Sequence, residues 1–358
     1  MFITTMIIGL LCLYKIQFAD SKKNRALTGG YYDDYLSVSK TNSIKGIFIL
    51  LVIYSHAIGY VTLNEGILNR LYDIFMYQFM GQGVVSMFLL YSGYAMMLCG
   101  MKKGSSYYKS IPTKRVLKVL FNFDVAIMLF LIVQTAFGNT YTFTRILTTL
   151  VGWTAIGNSN WYIFAILILY IITYIAFMIG KNNEKAVLAV AFSLTIVYMI
   201  VMYFVQATRY YDTAILYPLG MLLYVYKDKL ENLFKSKKWT YYVTFAVCLV
   251  LFLLSYILKA YLSYGIIKNA LFGILVLLLT MKVQVHNNIL EFCGKHLFSI
   301  FILQRIPMII LKNVGLNENI PLFMILATVL TFVIAIPFDM VVGKLDNLIF
   351  SRKSKTVK

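Results

Sequence analysis

Acidic residues are scarce in this chain: 14 aspartates and glutamates face 33 lysines and arginines, for a formal net charge of +19. Charged residues of either sign hold only 13% of the 358 positions, about half the share in soluble domains, which excludes an ordinary water-soluble enzyme or binding module. Polar stretches are short too, and the longest, residues 21–43, has a linker's length and no room for a soluble domain. With 5 prolines and no internal repeat, proline-rich and solenoid architectures drop out. Cysteine is equally sparse: Cys12, Cys99, Cys248 and Cys293 form no CxxC pair and read as free thiols, with neither a structural disulfide nor a metal site. The signatures GxxxxGK[ST] and GxSxG do not occur, so phosphate-loop and serine-hydrolase readings have no support.

What the chain has in abundance is apolar surface. Hydrophobic residues make up 60% of it, the mean hydropathy is +0.77, and the apolar runs reach the ~20 residues that a bilayer-crossing helix needs. Barrel strands are shorter, so the run length predicts an all-α, polytopic integral membrane protein. Hydropathy and loop punctuation place about ten spans, near residues 44–63, 77–100, 116–137, 159–180, 186–205, 212–226, 240–258, 264–281, 296–312 and 320–343. An earlier run, MFITTMIIGLLCLYKIQF, lacks the basic start and small-residue cleavage site of a secretory signal and is expected to be an uncleaved anchor or extra span. The segment TRILTTLVGWTAIG is too short to cross and is expected to be an outer-face loop or half-helix.

Basic residues sort by loop. With the stretch before Lys45 taken as cytoplasmic and sides alternating, roughly 25 fall inside, in clusters such as SKKNR, MKKG, PTKRVLK, KSKK and SRKSKTVK, and about 6 outside. Lys15 and Arg305 remain within apolar runs. The positive-inside rule then predicts a multi-pass cell-membrane protein whose C-terminus is cytoplasmic. Cationic loops of this kind meet membrane lipids with anionic headgroups and anionic cytosolic ligands, and nucleic acid is not expected as a partner. The chain divides into an apolar anchor and linker (residues 1–34), a membrane domain (35–350) and a basic tail (351–358).

A charged side chain inside a span costs roughly 2.5–3.5 kcal/mol, so each intramembrane ionisable residue is a functional candidate. His56 sits within SIKGIFILLVIYSHAIGYV, eleven residues after Lys45. Eleven residues are close to three helical turns, which puts both side chains on one face about 16 Å apart along the axis. They cannot touch, but they can line one channel for a ligand that is anionic at the cytoplasmic surface and reacts near mid-membrane. Lys45 then holds phosphate, and His56 exchanges a proton with the reacting group. The plainer readings are a snorkelling helix-end lysine and a packed histidine bonded to a neighbouring helix.

KGIFILLVIYSH, from Lys45 to His56, resembles the signature of the integral-membrane acyltransferases of family 3: a basic residue, ten positions, then a histidine in the first core helix. SMFLLYSGYAMM, with Ser92, Gly93 and Tyr94, is similar to the family's aromatic-rich run, and YYKSIPTKRVLKVL resembles its basic approach to the third helix. Arg115 and Lys118 match the paired basic positions there, with lysine where arginine is common. GNSNWYIFAILILY, LYPLGMLLY and FSIFILQRIPMII resemble later helices, so that the resemblance covers roughly residues 35–350. It implies a membrane-bound O-acetyltransferase that takes an acetyl or other short acyl group from cytosolic acetyl-CoA, or another acyl-CoA, to a hydroxyl of an extracytoplasmic polysaccharide or glycolipid, with His56 either deprotonating that hydroxyl or relaying the acyl group covalently. The hydrolase-like domain that some members append is not seen, and the acceptor is expected to meet the membrane domain itself.

Arg115 and Lys118 lie one turn apart and can share one phosphate of the donor, yet ordinary positive-inside topology explains them equally well. Trp161 and Tyr162 stand where an aromatic belt is usual, although aromatic faces also stack on sugar rings. Arg209, in QATRYYDT, reads as a contact for an acidic glycan or as a plain exposed arginine. Ser92, Tyr94 or a buried arginine are the choices for stabilising an oxyanion. Arg305 and Asp124 stand at similar depth, and an ion pair between them is expected, with Asp339 the rival partner. His286 and His296 read as surface or interfacial side chains. The competing functions are a transporter or flippase for a lipid-linked sugar, in which His, Asp and Arg form a relay, and a structural scaffold.

Overall fold

The computed structural model of the protein describes residues 2–19, 30–63, 66–258 and 262–350; the basic clusters SKKNR and SRKSKTVK lie outside them. The chain runs through α1 (Phe2–Leu13), α2 (Val38–Ala57), α3 (Ile67–Asp73), α4 (Ser86–Lys103), α5 (Ser105–Tyr108), α6 (Lys118–Ala136), α7 (Phe143–Leu150) and α8 (Trp161–Gly180). It continues through α9 (Glu184–Val205), α10 (Leu216–Ser236), α11 (Lys238–Ile257), α12 (Leu262–Lys282), α13 (Asn288–Lys295), α14 (Leu297–Leu303), α15 (Arg305–Asn313) and α16 (Ile320–Phe350). A two-residue antiparallel ladder, Gln17–Phe18 against Val283–Gln284, is the strand pairing among the described residues.

Eight helical rods among the described residues are long and apolar enough to cross a membrane, and the pair Asn288–Lys295 and Leu297–Asn313, bent by 65°, makes a ninth. The protein is an all-α, polytopic membrane protein. The run at 212–226 opens α10, whose second half carries Lys227, Asp228, Lys229, Glu231 and Lys235; that charge density separates it from the spanning set. The N-terminal run forms α1, whose 12 residues reach about 18 Å and fall short of a ~30 Å hydrocarbon core. TRILTTLVGWTAIG forms the short helix α7 and a turn, as expected.

Helices in lipid associate by close packing, because lipid tails are as apolar as leucine. Two crossings here are built on glycine from both sides. Gly93 of α4 lies against the Tyr217 carbonyl and Gly220 of α10 against that of Leu90, while Gly46 of α2 meets the Leu290 carbonyl and Gly294 of α13 that of Asn42. A Cβ at any of these positions would overlap a backbone oxygen. Around the crossings Ile49, Ile53, Met87, Phe88, Phe130, Phe301 and Phe323 are fully buried. On the outside, Val197, Ile200 and Phe204 of α9 and Val247, Val250, Leu254 and Ile257 of α11 are exposed, an apolar surface suited to lipid. His296 sits at the 65° bend and hydrogen-bonds Asp339 of α16, which also accepts from Ser299.

Candidate functional site

The apolar helix α2 starts at Ser37, whose hydroxyl accepts from the Lys40 amide at 3.4 Å, and carries His56 at its far end. Facing it is the loop that leads into α8. Hydrogen bonds hold that loop: Gln134 Nε2 donates to the Ile156 carbonyl at 2.7 Å, and the Ile156 amide donates to Asn158 Oδ1 at 2.9 Å. Asn160 Nδ2 donates to the Gly152 carbonyl at 2.8 Å and to the Tyr210 hydroxyl at 2.7 Å. Gly157, at φ +105°, makes the turn that a side chain would strain.

Between these elements lies a cleft of about 340 Å³. Val52, Ser55 and His56 of α2 line it together with Asn158, Ser159, Asn160 and Trp161 from the loop and the start of α8, and Phe301, Arg305, Arg209, Gln82 and Val85 are also in the lining. Trp161 packs on Tyr162 at 6.0 Å, Tyr162 on Phe301 at 5.1 Å, and Phe301 on the His56 ring at 6.4 Å. Arg305 is near enough to act electrostatically on His56 and Tyr60. Gln304 lies within hydrogen-bonding reach of His56, and among the described residues Asn158 Nδ2, Ser159 Oγ and Arg305 Nε are buried without a hydrogen-bond partner. Native interiors leave few such atoms, and a cluster around one cleft marks a place where a polar ligand completes the bonding.

A second cleft, of about 580 Å³, collects Lys103, Lys114, Arg115 and Lys118 with Asp346, so four cations face one carboxylate. Arg115 belongs to the π-helical segment Pro112–Leu117 that opens the third span, and it donates to the Tyr107 hydroxyl at 3.3 Å. The two clefts lie at opposite ends of α4: Val85 lines the first and Lys103 the second, about 27 Å apart at 1.5 Å per residue. Polar side chains run between them. Tyr170 lies within electrostatic reach of Arg115 and Tyr107, and the Ser92 hydroxyl is within hydrogen-bonding reach of both Tyr170 and Tyr162.

Of the residues singled out from sequence, His56, Trp161 and Arg209 share the first cleft, and Tyr162 stands directly behind it. Arg115 and Lys118 share the second, but Lys118 is tied to Asp346 at 2.9 Å, which leaves Arg115 the less committed cation. Ser92 lies on the polar line between the clefts. Tyr94 lines neither and packs on Tyr224 at 6.1 Å. Lys45 also lines neither cleft. The expected Arg305–Asp124 pair is not formed: Arg305 turns toward His56, Asp124 Oδ1 has no hydrogen-bond partner among the described residues, and Asp339 is taken by His296. Similar depth in two helices does not put two side chains on facing sides. Sequence reasoning also passed over Asn158 and Ser159, although a polar Asn-Ser-Asn run directly before a 20-residue apolar helix is a visible N-terminus signal.

Behind the cleft Asp212 is buried, hydrogen-bonded through its carbonyl to Asn269 Nδ2 at 3.4 Å. Burial pushes its carboxyl up to about 7, against the opposing pull of the Lys268 ammonium and the Asn269 amide. The folded state therefore holds a proton that the unfolded chain, with its lower carboxyl pKa, has already released, so this contribution to stability is present in acid and is lost as pH rises toward about 7. Asp212→Asn is expected to flatten that part of the slope, measured as the thermal unfolding midpoint in detergent across this pH range; an unchanged slope would remove Asp212 as its source.

A family model described as an acyltransferase domain matches residues 40–340. No curated protein and no solved structure matches the chain. The match takes in the first cleft, the basic residues of the second and the polar line between them, and covers most of the sequence: the chain belongs to acyltransferase family 3 and is a membrane acyltransferase.

Proposed function

We propose that this acyltransferase moves an acetyl or other short acyl group from cytosolic acyl-CoA to a hydroxyl of an extracytoplasmic polysaccharide or glycolipid. The observation that carries the reading is the pair of clefts at opposite ends of α4, one cationic and one holding His56, joined by Ser92, Tyr162 and Tyr170. The cationic cleft suits the phosphates of the donor, on the side that the positive-inside rule favours for the cytoplasm. From there the slender thioester arm follows α4 toward His56. At the far cleft His56 takes the proton of the acceptor hydroxyl, the oxygen bonds to the thioester carbonyl carbon, and the carbon–sulfur bond breaks with return of the proton to the departing thiolate. Arg305, beside His56, is the buried arginine suited to the oxyanion that forms in between. A transporter would need no acyl donor, and the family match disfavours it.

The test is transfer from radiolabelled acetyl-CoA, supplied on the cytoplasmic side of vesicles carrying the protein, into their glycan fraction. Label in the glycan supports the reading, and glycan that stays unlabelled while an added lipid-linked sugar crosses the membrane would replace it. In the same assay Arg115→Ala is expected to raise the donor KM about tenfold with little change in kcat, the loss of one charge-assisted phosphate contact of about 1.4 kcal/mol. An unchanged KM would take Arg115 out of donor binding.

A further inference from the structure

We infer that the acceptor carries an oxyanion, a carboxylate or a phosphate, next to the hydroxyl that is acylated; this rests on the acyl-transfer reading above. The argument is the sign of the cleft's open hydrogen-bonding groups. Neutral acceptors such as Ser55 and Gln82 serve the hydroxyls of any sugar, whereas a carboxylate in the lining would repel an anionic one, so the charged groups carry the distinction. Here no Asp or Glu is found among the described residues that line the cleft. Asn158, only 2% exposed, has its acceptor Oδ1 taken by the Ile156 amide at 2.9 Å, while its donor Nδ2 has no partner among the described residues. Ser159, 4% exposed, has an unpartnered hydroxyl beside it.

Two further features have the same polarity. The 20-residue helix α8 begins at Trp161 in the lining, and the first amides of a helix lack intrahelical partners and carry the positive end of its dipole. Arg209, an exposed residue, brings five N–H donors to the same cleft as the Arg305 that stands beside His56. One oxyanion at the reacting carbon occupies Arg305 alone. Arg209, Asn158 Nδ2, Ser159 and the α8 amides remain for a second, permanent negative charge on the acceptor.

Binding tests this without relying on catalysis. The full chain in phosphatidylcholine nanodiscs is titrated with three oligosaccharides of one backbone: one bearing a uronic acid, its carboxyl-reduced neutral form, and one bearing a phosphate. The readout is tryptophan fluorescence, to which Trp161 in the cleft contributes. At about 0.05 M salt one anionic probe is expected to bind about tenfold or more tighter than the neutral one, and at about 0.5 M the gap is expected to shrink. The tighter of the two anions identifies carboxylate or phosphate. Arg209→Gln and Ser159→Ala are each expected to reduce the preference, Arg209→Lys to keep part of it, and Arg70→Gln, away from the cleft, to leave it intact. Equal binding of the neutral probe, no binding of either anion, or a preference that survives both Arg209→Gln and Ser159→Ala would overturn the inference. Charge preference in a protein that transfers no acyl group would sink the functional reading and leave this one standing as an anion site.

Discussion

Replacing His56 by alanine is expected to lower acyl transfer by about 100- to 10,000-fold, with insertion and folding at wild-type levels. The size of the loss follows from the proton: without the imidazole no other neutral base lines the cleft among the described residues, and a hydroxyl must lose its proton to attack. Folding is spared because the ring is only partly buried, has Gln304 alone within side-chain hydrogen-bonding reach among the described residues, and meets Phe301 edge-on at 6.4 Å. Truncation therefore enlarges an existing cleft and opens no sealed cavity in the core. His56→Gln, which keeps hydrogen bonding but cannot accept the proton, is expected to lose as much as alanine. The assay is initial rate of label transfer from acetyl-CoA, with the thermal midpoint of each variant measured in parallel; a well-folded alanine variant within a few-fold of wild type would end the role of His56. Acid quench adds a distinction: label held on the wild-type protein and absent from the variant would make His56 a covalent carrier of the acyl group.

Gly93→Val is expected to destroy the folded protein. Its Cβ would overlap the Tyr217 carbonyl, and the reciprocal contact of Gly220 with Leu90 prevents α10 from yielding at one point without disturbing the other. Overpacking a flexible side chain costs about 1–3 kcal/mol, and here the obstacle is backbone on both sides, so the cost is expected to exceed that range. Against a typical total of about 5–15 kcal/mol, such a loss removes most of the folded fraction. Gly220→Val is expected to behave alike, and Gly46→Val to do the same to the α2–α13 crossing through Leu290. The comparison is Gly343→Ala in α16, where nothing lies within 4 Å of the added Cβ and helix propensity favours alanine by about 0.5–1 kcal/mol. Yield of monodisperse protein in detergent and its unfolding midpoint measure all four. Wild-type yield for Gly93→Val would show that α4 and α10 can part without loss.

Much of the site was legible in the sequence, in pieces. His56 stood out because an imidazole inside an apolar run is uncommon, and Arg209 because basic residues are few in the loops assigned to the outer face. Trp161 stood out as the first residue of an apolar helix. Nothing in the sequence joined them: they come from α2, the loop before α10 and the start of α8, and the helix crossings bring them to one cleft. Lys45, by contrast, lines neither cleft. Its eleven-residue spacing from His56 is a statement about one helix face, and whether that face meets a cleft along its whole length depends on neighbours that spacing does not contain.

Arg305 makes the same point from the other side. Depth along the axis is countable from hydropathy, and it suggested Asp124 as a partner; rotation about the axis is what decided for His56, and rotation is set by packing of α14 and α15 against α16 and α2. The sequence by itself determined the all-α membrane class, the family and most of the spans, because apolar run length and local motifs are properties of contiguous residues. Only the tertiary structure decided which ionisable side chains meet, which cation is neutralised by Asp346, and where the unpartnered donors of Asn158 and Ser159 converge. Those depend on Gly93, Gly220, Gly46 and Gly294 letting backbones approach within reach, a long-range geometry that no single helix encodes.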